Sequence, residues 1–138
     1  MDKSSNPKNK PLIIVRESDY ARLNDLAQAS LDRNYEVADE LLGELERASV
    51  VLDDQVASNV VQMGSTVTYE TDGQPRTVTL VYPADADIEQ GKISILTPIG
   101  VALLGLSPGQ SIDWRARGGQ SHRLKVTAVR DHSPLEEA

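Results

Sequence analysis

Asp32, Glu36 and Asp39 lie within eight residues of one another and are the first side chains in this sequence whose types and spacing suit chemistry. Carboxylate oxygens are hard ligands, so acids on a protruding turn could hold a magnesium ion or present one to a partner. The same residues also suit a solvated loop followed by the first turn of a helix, where the dipole favours negative charge. That is the simpler role. His122 and His132 have no Cys or carboxylate at a metal-ligand spacing, and each is expected to be structural. The chain contains no G-x-x-x-x-G-K-[ST] and no G-x-G-x-x-G, which removes the phosphate-loop and dinucleotide classes. With no Cys, thiolate chemistry, disulfides and Cys-ligated zinc are excluded. Neither an enzyme with a covalent or metal mechanism of its own nor a bound cofactor is expected.

Two further patterns suit recognition rather than catalysis. Arg115, Arg117, Arg123 and Lys125, with Arg130 beyond them, alternate with apolar residues near the C-terminal end. They fit either a solvated strand face or a docking surface for an acidic partner. The second pattern is Thr97 to Leu106. Thr97 suits a helix cap, Pro98 the first helical position and Gly105 the left-handed residue after the last turn, which predicts a two-turn helix between strands. So short a helix needs Ile99, Ala102 and Leu103 packed on a sheet. A Thr-Pro cap where a strand stops is also a rigid corner, and a preorganised corner makes a good docking point. On the residues alone, packing is the simpler role.

These side chains need elements to position them. Leu12 to Val15 is apolar and β-branched, and suits a short strand joining another molecule's sheet. Ser18 stands at a helix cap position, followed by Tyr20, Leu23, Leu26, Ala27 and Leu31 at steps of three and four. After Asp32-Arg33-Asn34, a second stripe runs through Val37 or Ala38, Leu41, Leu42, Leu45 and Ala48. This predicts an antiparallel two-helix coiled coil about 20 Å long. The period then becomes two. Val67 and Tyr69, then Val78, Leu80 and Tyr82, flank a turn at Asp72-Gly73, which is a hairpin signal. Further strands are expected at Lys92–Leu96, Gln110–Arg115 and His122–Val129, the last with Leu124, Val126 and Ala128 on one face. The fold class is α+β, with a half-buried antiparallel sheet and one short helix. The expected divisions are a disordered tail at 1–11, a short strand plus helical hairpin at 12–49, a linker at 50–59, a sheet domain at 60–132 and a tail at 133–138.

Composition narrows the class further. The chain has 138 residues, no Phe and one Trp, so its core must be aliphatic and an aromatic cage or stacking platform is disfavoured. Residues 18–55 carry ten acids and three bases, whereas 111–132 carry two acids and five bases, within a net charge of −7. An acidic arm on a locally basic body is the simplest picture, and the balance argues against binding bare duplex nucleic acid by charge. The start has only four consecutive strongly apolar residues, too few for a signal-peptide core or a span of about 20 residues. A cytoplasmic monomer with no membrane contact and no sequence-specific nucleic-acid contact is expected.

Taken together, Gly64-Ser65-Thr66-Val67-Thr68, Gly91-Lys92-Ile93-Ser94-Ile95, Thr97 to Gly105, Gly109-Gln110-Ser111-Ile112 and Gly118-Gly119 resemble the C-terminal domain of the Gre family of bacterial transcript-cleavage factors. The resemblance keeps their order and near-family spacing over roughly residues 60–129. Leu80-Val81-Tyr82-Pro83-Ala84 and the very short hairpin are more similar to the Rnk-like branch, whose name denotes a regulator of nucleoside diphosphate kinase. No residue argues for contact with such a kinase.

The resemblance implies an FKBP-like sheet domain behind the coiled coil, and RNA polymerase as partner. The body would dock at the rim of the secondary channel, on the β′ subunit, with the hairpin pointing inward. It also implies that Thr97, Pro98, Ile99, Gly100 and Leu103 form the docking corner, Thr replacing the family's Ser while keeping the hydroxyl. Cleavage-active Gre factors carry acids on a much longer coiled coil. A short arm that stops before the catalytic magnesium cannot place a second metal or activate a water, since that chemistry depends on ångström-scale placement. The implied function is therefore a regulator that competes with Gre factors without stimulating cleavage. The alternatives are a cleavage factor acting through Asp32, Glu36 or Asp39, and a prolyl isomerase, which a chain without Phe is poorly equipped to be.

Overall fold

The computed structural model describes residues 12–115, without the side chain of Arg115, and 119–130. A short strand β1 (Ile14–Arg16) runs directly into helix α1 (Glu17–Ser30). A turn at 31–34 leads to helix α2 (Tyr35–Arg47), and strand β2 (Ser49–Val51) follows. The larger sheet is built from β3 (Thr66–Thr71), β4 (Gln74–Val81), β5 (Lys92–Ser94), β6 (Ser111–Arg115) and β7 (Ser121–Arg130), with helix α3 (Pro98–Leu103) between β5 and β6. The fold is α+β, as the two periodicities require. The expected tails at 1–11 and 133–138 lie outside the described residues.

Several local expectations are corrected. Leu12 to Val15 does not join a foreign sheet: β1 pairs in parallel with β2 of its own chain, Val15 opposite Val50. The segment read as a linker therefore begins inside a strand. Ser18 is not the cap of α1. Because β1 enters the helix without a loop, Arg16 occupies the cap position with no side-chain cap bond. The Ser18 N–H is satisfied from across the fold by Asp53 Oδ1 at 3.0 Å. Ala128 is exposed rather than aligned with Leu124 and Val126. The β3–β7 register shifts between Thr68 and Tyr69, and the extra residue this places in β7 turns the strand over, so Val129 faces inward opposite Val67.

The five-stranded sheet has the order β5-β4-β3-β7-β6. β3 and β4 form the expected hairpin, with Asp72 at φ 54° and Gly73 at φ 77°. Two successive left-handed residues match the twist of the strands, which is why Asp-Gly is favoured there. The outermost strand β5 runs parallel to β4, whereas the other pairings are antiparallel. The crossover at 82–91 carries the chain back to start β5 beside Thr79.

One apolar cluster joins the parts. Leu23 and Ala27 of α1 and Val37, Leu41 and Leu45 of α2 belong to the same buried core as Val67, Leu80, Leu103 and Leu124. Helices of 14 and 13 residues are marginal in isolation. Burial of each Leu, worth roughly 1.5–3 kcal/mol, is what holds them. Gly105 closes the core against β1: it sits at φ +82°, and a Cβ there would stand 2.5 Å from Ile13 Cβ.

Candidate docking corner

The segment after β5 is a braced corner. The Ser94 hydroxyl accepts the Leu96 N–H at 2.9 Å, and the Thr97 hydroxyl donates to the Ser94 carbonyl at 2.8 Å. Thr97 Oγ1 also accepts the Gly100 N–H at 3.1 Å, so the predicted cap forms, with Pro98 at the first helical position. A Cβ on Gly100 would stand 2.4 Å from the Ser94 carbonyl oxygen, so only glycine lets the helix start this close to the strand it has just left. Of the five docking residues named from the sequence, Thr97, Pro98 and Ile99 are partly exposed and can touch a partner. Gly100 and Leu103 are buried and act from inside, holding the corner on the core. Val101 and Ala102 are buried with them.

The corner borders a cleft of about 50 Å³ lined by Glu40 and Glu44 of α2, Pro98 and Val101 of α3, and Asp113 and Trp114 of β6. The helical arm and the corner thus share one surface. Trp114 is partly buried and stacks on His122 with ring centroids 5.1 Å apart, and His122 Nδ1 lies 3.1 Å from Asp72 Oδ2. His122 is therefore held in the sheet by an aromatic neighbour and the hairpin turn, as its structural reading expects. His132 lies outside the described residues.

The acidic and basic groups named from the sequence separate. Asp32 lies in the turn between the helices, Glu36 in the first turn of α2 and Asp39 in the next, all exposed. Among the described residues, no group of three or more His, Cys, Asp or Glu side chains is placed to hold a metal ion. Tyr35, which the helical pattern did not single out, is 62% exposed beside these acids. On the sheet, Arg123 pairs with Asp113 at 2.9 Å, and exposed Lys125 stands opposite Glu70 in the ladder. The basic alternation is partly neutralised by acids on neighbouring strands. Arg117 and the side chain of Arg115 lie outside the described residues.

A polar junction that sequence reasoning missed fixes the arm to the body. Asp19 of α1, 6% exposed, accepts from Arg16 Nε at 2.6 Å and from the Tyr82 hydroxyl at 2.8 Å. Arg16 also donates to the Met63 carbonyl at 2.9 Å, and its backbone N–H donates to Gln62 Oε1 at 2.9 Å. The buried Gln62 amide donates in turn to the Ile14 carbonyl at 2.7 Å. The Arg22 guanidinium lies 4.0 Å from the centre of the Tyr82 ring. Burial, then the hydrogen bond to Asp19 and its negative charge, push the Tyr82 phenol well above the usual tyrosine range, so it remains a donor. No local pattern signals this junction, because, apart from the Arg16–Asp19 pair, the hydrogen-bonded partners across it are 46 to 63 positions apart.

Comparison with known proteins places this geometry. Residues 56–131 match the family described as "Transcription elongation factor, GreA/GreB, C-term", and residues 11–51 match "Rnk N-terminus". The chain is 36% identical to the regulator of nucleoside diphosphate kinase of Escherichia coli K12 over 120 residues, covering 86% of this chain and 88% of that protein. It is 46% identical over 68 residues to transcription elongation factor GreA of Chloroflexus aggregans, covering 48% of this chain and 43% of that protein. A solved GreA/GreB elongation factor from Nitrosomonas europaea superposes with a TM-score of 0.69 at 38% identity, covering 86% of this chain and 98% of that one. With a Rnk-type arm, a Gre-type sheet domain and the braced corner between β5 and β6, the chain belongs to the GreA/GreB family, in its Rnk-like branch.

Proposed function

We propose that this chain is an RNA polymerase-binding regulator that docks through Thr97, Pro98 and Ile99 at the β′ rim of the secondary channel and competes there with Gre factors without stimulating transcript cleavage. The observation that carries the reading is the pairing of a preorganised corner with a short arm. The cap is fixed by Ser94, Thr97 and Gly100 before any partner arrives, so little ordering cost falls on binding. The arm's helices have only 14 and 13 residues, or about 20 Å. Family membership and the elongation-factor names of the GreA relatives support the transcription setting. The protein works in the cytoplasm, where polymerase is; among the described residues no helix is long and apolar enough to cross a membrane.

The acids at the tip serve solubility and the helix dipole in this account, not catalysis. The test is a stalled elongation complex with labelled transcript. The chain alone leaves the transcript at full length, and added to a complex containing a Gre factor it suppresses cleavage in proportion to its concentration. Shortening of the transcript by the chain alone, abolished by Asp32→Asn with Glu36→Gln and Asp39→Asn, would replace this reading with the cleavage-factor one.

A further inference from the structure

Among the described residues, Ile88 is the most exposed large apolar side chain, at 86%. It sits in a 3-10 turn, Ile88–Gln90, at the end of the crossover into β5. A single exposed apolar residue is common on protein surfaces. What sets this one apart is how firmly the backbone holds it. Asp87 and Lys92 exchange backbone hydrogen bonds at 2.8 and 2.9 Å, and Asp87 Oδ1 accepts the Glu89 N–H at 3.1 Å. Gly91, at φ 74°, returns its N–H to the Ile88 carbonyl at 3.0 Å, and its own carbonyl accepts the Thr79 N–H of β4 at 2.7 Å. The turn is braced within itself and against the sheet.

Its surroundings specify the partner's chemistry. Asp85, Asp87 and Glu89 flank Ile88, and no base occurs between Arg76 and Lys92. An apolar anchor with three acids beside it in the chain and one base, Lys92, across the turn from Asp87 is complementary to an apolar pocket rimmed by Lys or Arg. The turn also lies on the edge that carries the corner. β5 is the terminal strand of the sheet, with Ile88 just before its start and Thr97–Pro98 just beyond its end. Thr97 lies five positions after Lys92, at most about 17 Å at the rise of a strand. A partner surface of ordinary size, about 800 Å², reaches both.

We propose that Ile88 is a second anchor for the partner that takes the Thr97–Pro98 corner, inserting into an apolar, base-rimmed depression on RNA polymerase. The inference rests on the docking reading above. The test displaces a fluorescent Gre factor from core polymerase with full-length wild-type chain, Ile88→Asp, Ile88→Val and the double reversal Asp85→Lys with Glu89→Lys. Circular dichroism confirms folding, which an exposed side chain leaves intact. Ile88→Asp is expected to weaken displacement about tenfold or more and Ile88→Val to stay near wild type, as for an anchor in a desolvated contact. The double reversal is expected to weaken displacement most at low salt. If wild type displaces the factor and Ile88→Asp does so equally well, the anchor is overturned while the docking reading stands. If wild type does not bind polymerase, both fall. If sedimentation instead finds a wild-type dimer that Ile88→Asp splits, with displacement unchanged, the turn contacts a second copy and the proposal is overturned.

Discussion

Tyr82 and Asp19 stand 63 positions apart in the chain and 2.8 Å apart in the fold, phenol to carboxylate. This bond ties α1 to the end of β4, and it is charge-assisted. Tyr82→Phe is expected to lower stability by about 1.5–3 kcal/mol, measured by urea unfolding at neutral pH. The alkaline limb carries a second signature. The phenol is raised in the folded state from an ordinary value of 10.0, so above that pH the unfolded chain releases a proton the native state retains. Stability is fully present below about pH 10 and falls as pH rises beyond it. Burial raises Tyr69 in the same direction, so the fall in Tyr82→Phe is shallower rather than absent. An identical alkaline slope in the variant would show that burial and the Asp19 bond together do not hold the phenol proton.

Asp53 caps α1 from a distance. Hydrogen bonds from Ser18, its hydroxyl first and then its N–H, hold the Asp53 carboxyl below the usual carboxylate range. A depressed folded value means the contribution is present above the unfolded value of 3.8 and is lost as pH falls through the folded one. Asp53→Ala is expected to lower the melting temperature at pH 7 and to flatten the acid side of the stability profile. A melting temperature equal to wild type at pH 7 would show that α1 needs no cap from this loop.

Gly105→Ala tests the seam between β1 and the end of α3. The φ of +82° and the 2.5 Å approach to Ile13 leave no room for a methyl group. Destabilisation of more than about 1 kcal/mol is expected. The Gly109→Ala control also has positive φ but meets nothing within 4 Å, so it isolates the backbone effect from the clash.

At the corner, Thr97→Ser keeps the cap oxygen and Thr97→Val removes it at nearly constant shape. Thr97→Val is expected to cost about 1 kcal/mol, the ordinary worth of a helix cap, with Thr97→Ser close to wild type. Equal stability of the two variants in thermal unfolding would show that the hydroxyl does not organise the corner.

The parts legible in sequence are those encoded over a few neighbours. The Thr97-Pro98 start and Gly105 end of α3, the Asp72-Gly73 turn and both helical stripes each rest on spacings of seven residues or fewer, where sterics and local hydrogen bonds decide the outcome. Pairings over long separations were not legible. β1 has a strand's composition, but nothing in residues 12–15 names Ser49–Val51 as its partner. Ser18 has the right chemistry for a cap, yet the direct passage from β1 into α1 moved that role to Asp53. Ala128 continued the alternation on paper until a bulge shifted the phase. At the corner, the sequence identified the exposed Thr-Pro, while the inward position of Gly100 and Leu103 required the packing of α3 beneath it.

The central claim is occupancy of polymerase through the corner, and the most direct measurement is displacement of a labelled Gre factor from core RNA polymerase by wild type and by Pro98→Asp. Trp114, the single tryptophan of this chain, lines the cleft beside Pro98 and reports folding of both proteins by its fluorescence. The account predicts that wild type displaces the Gre factor and that Pro98→Asp, folded by circular dichroism, does neither this nor any suppression of cleavage. Equal displacement by both proteins, or none by wild type, would contradict it.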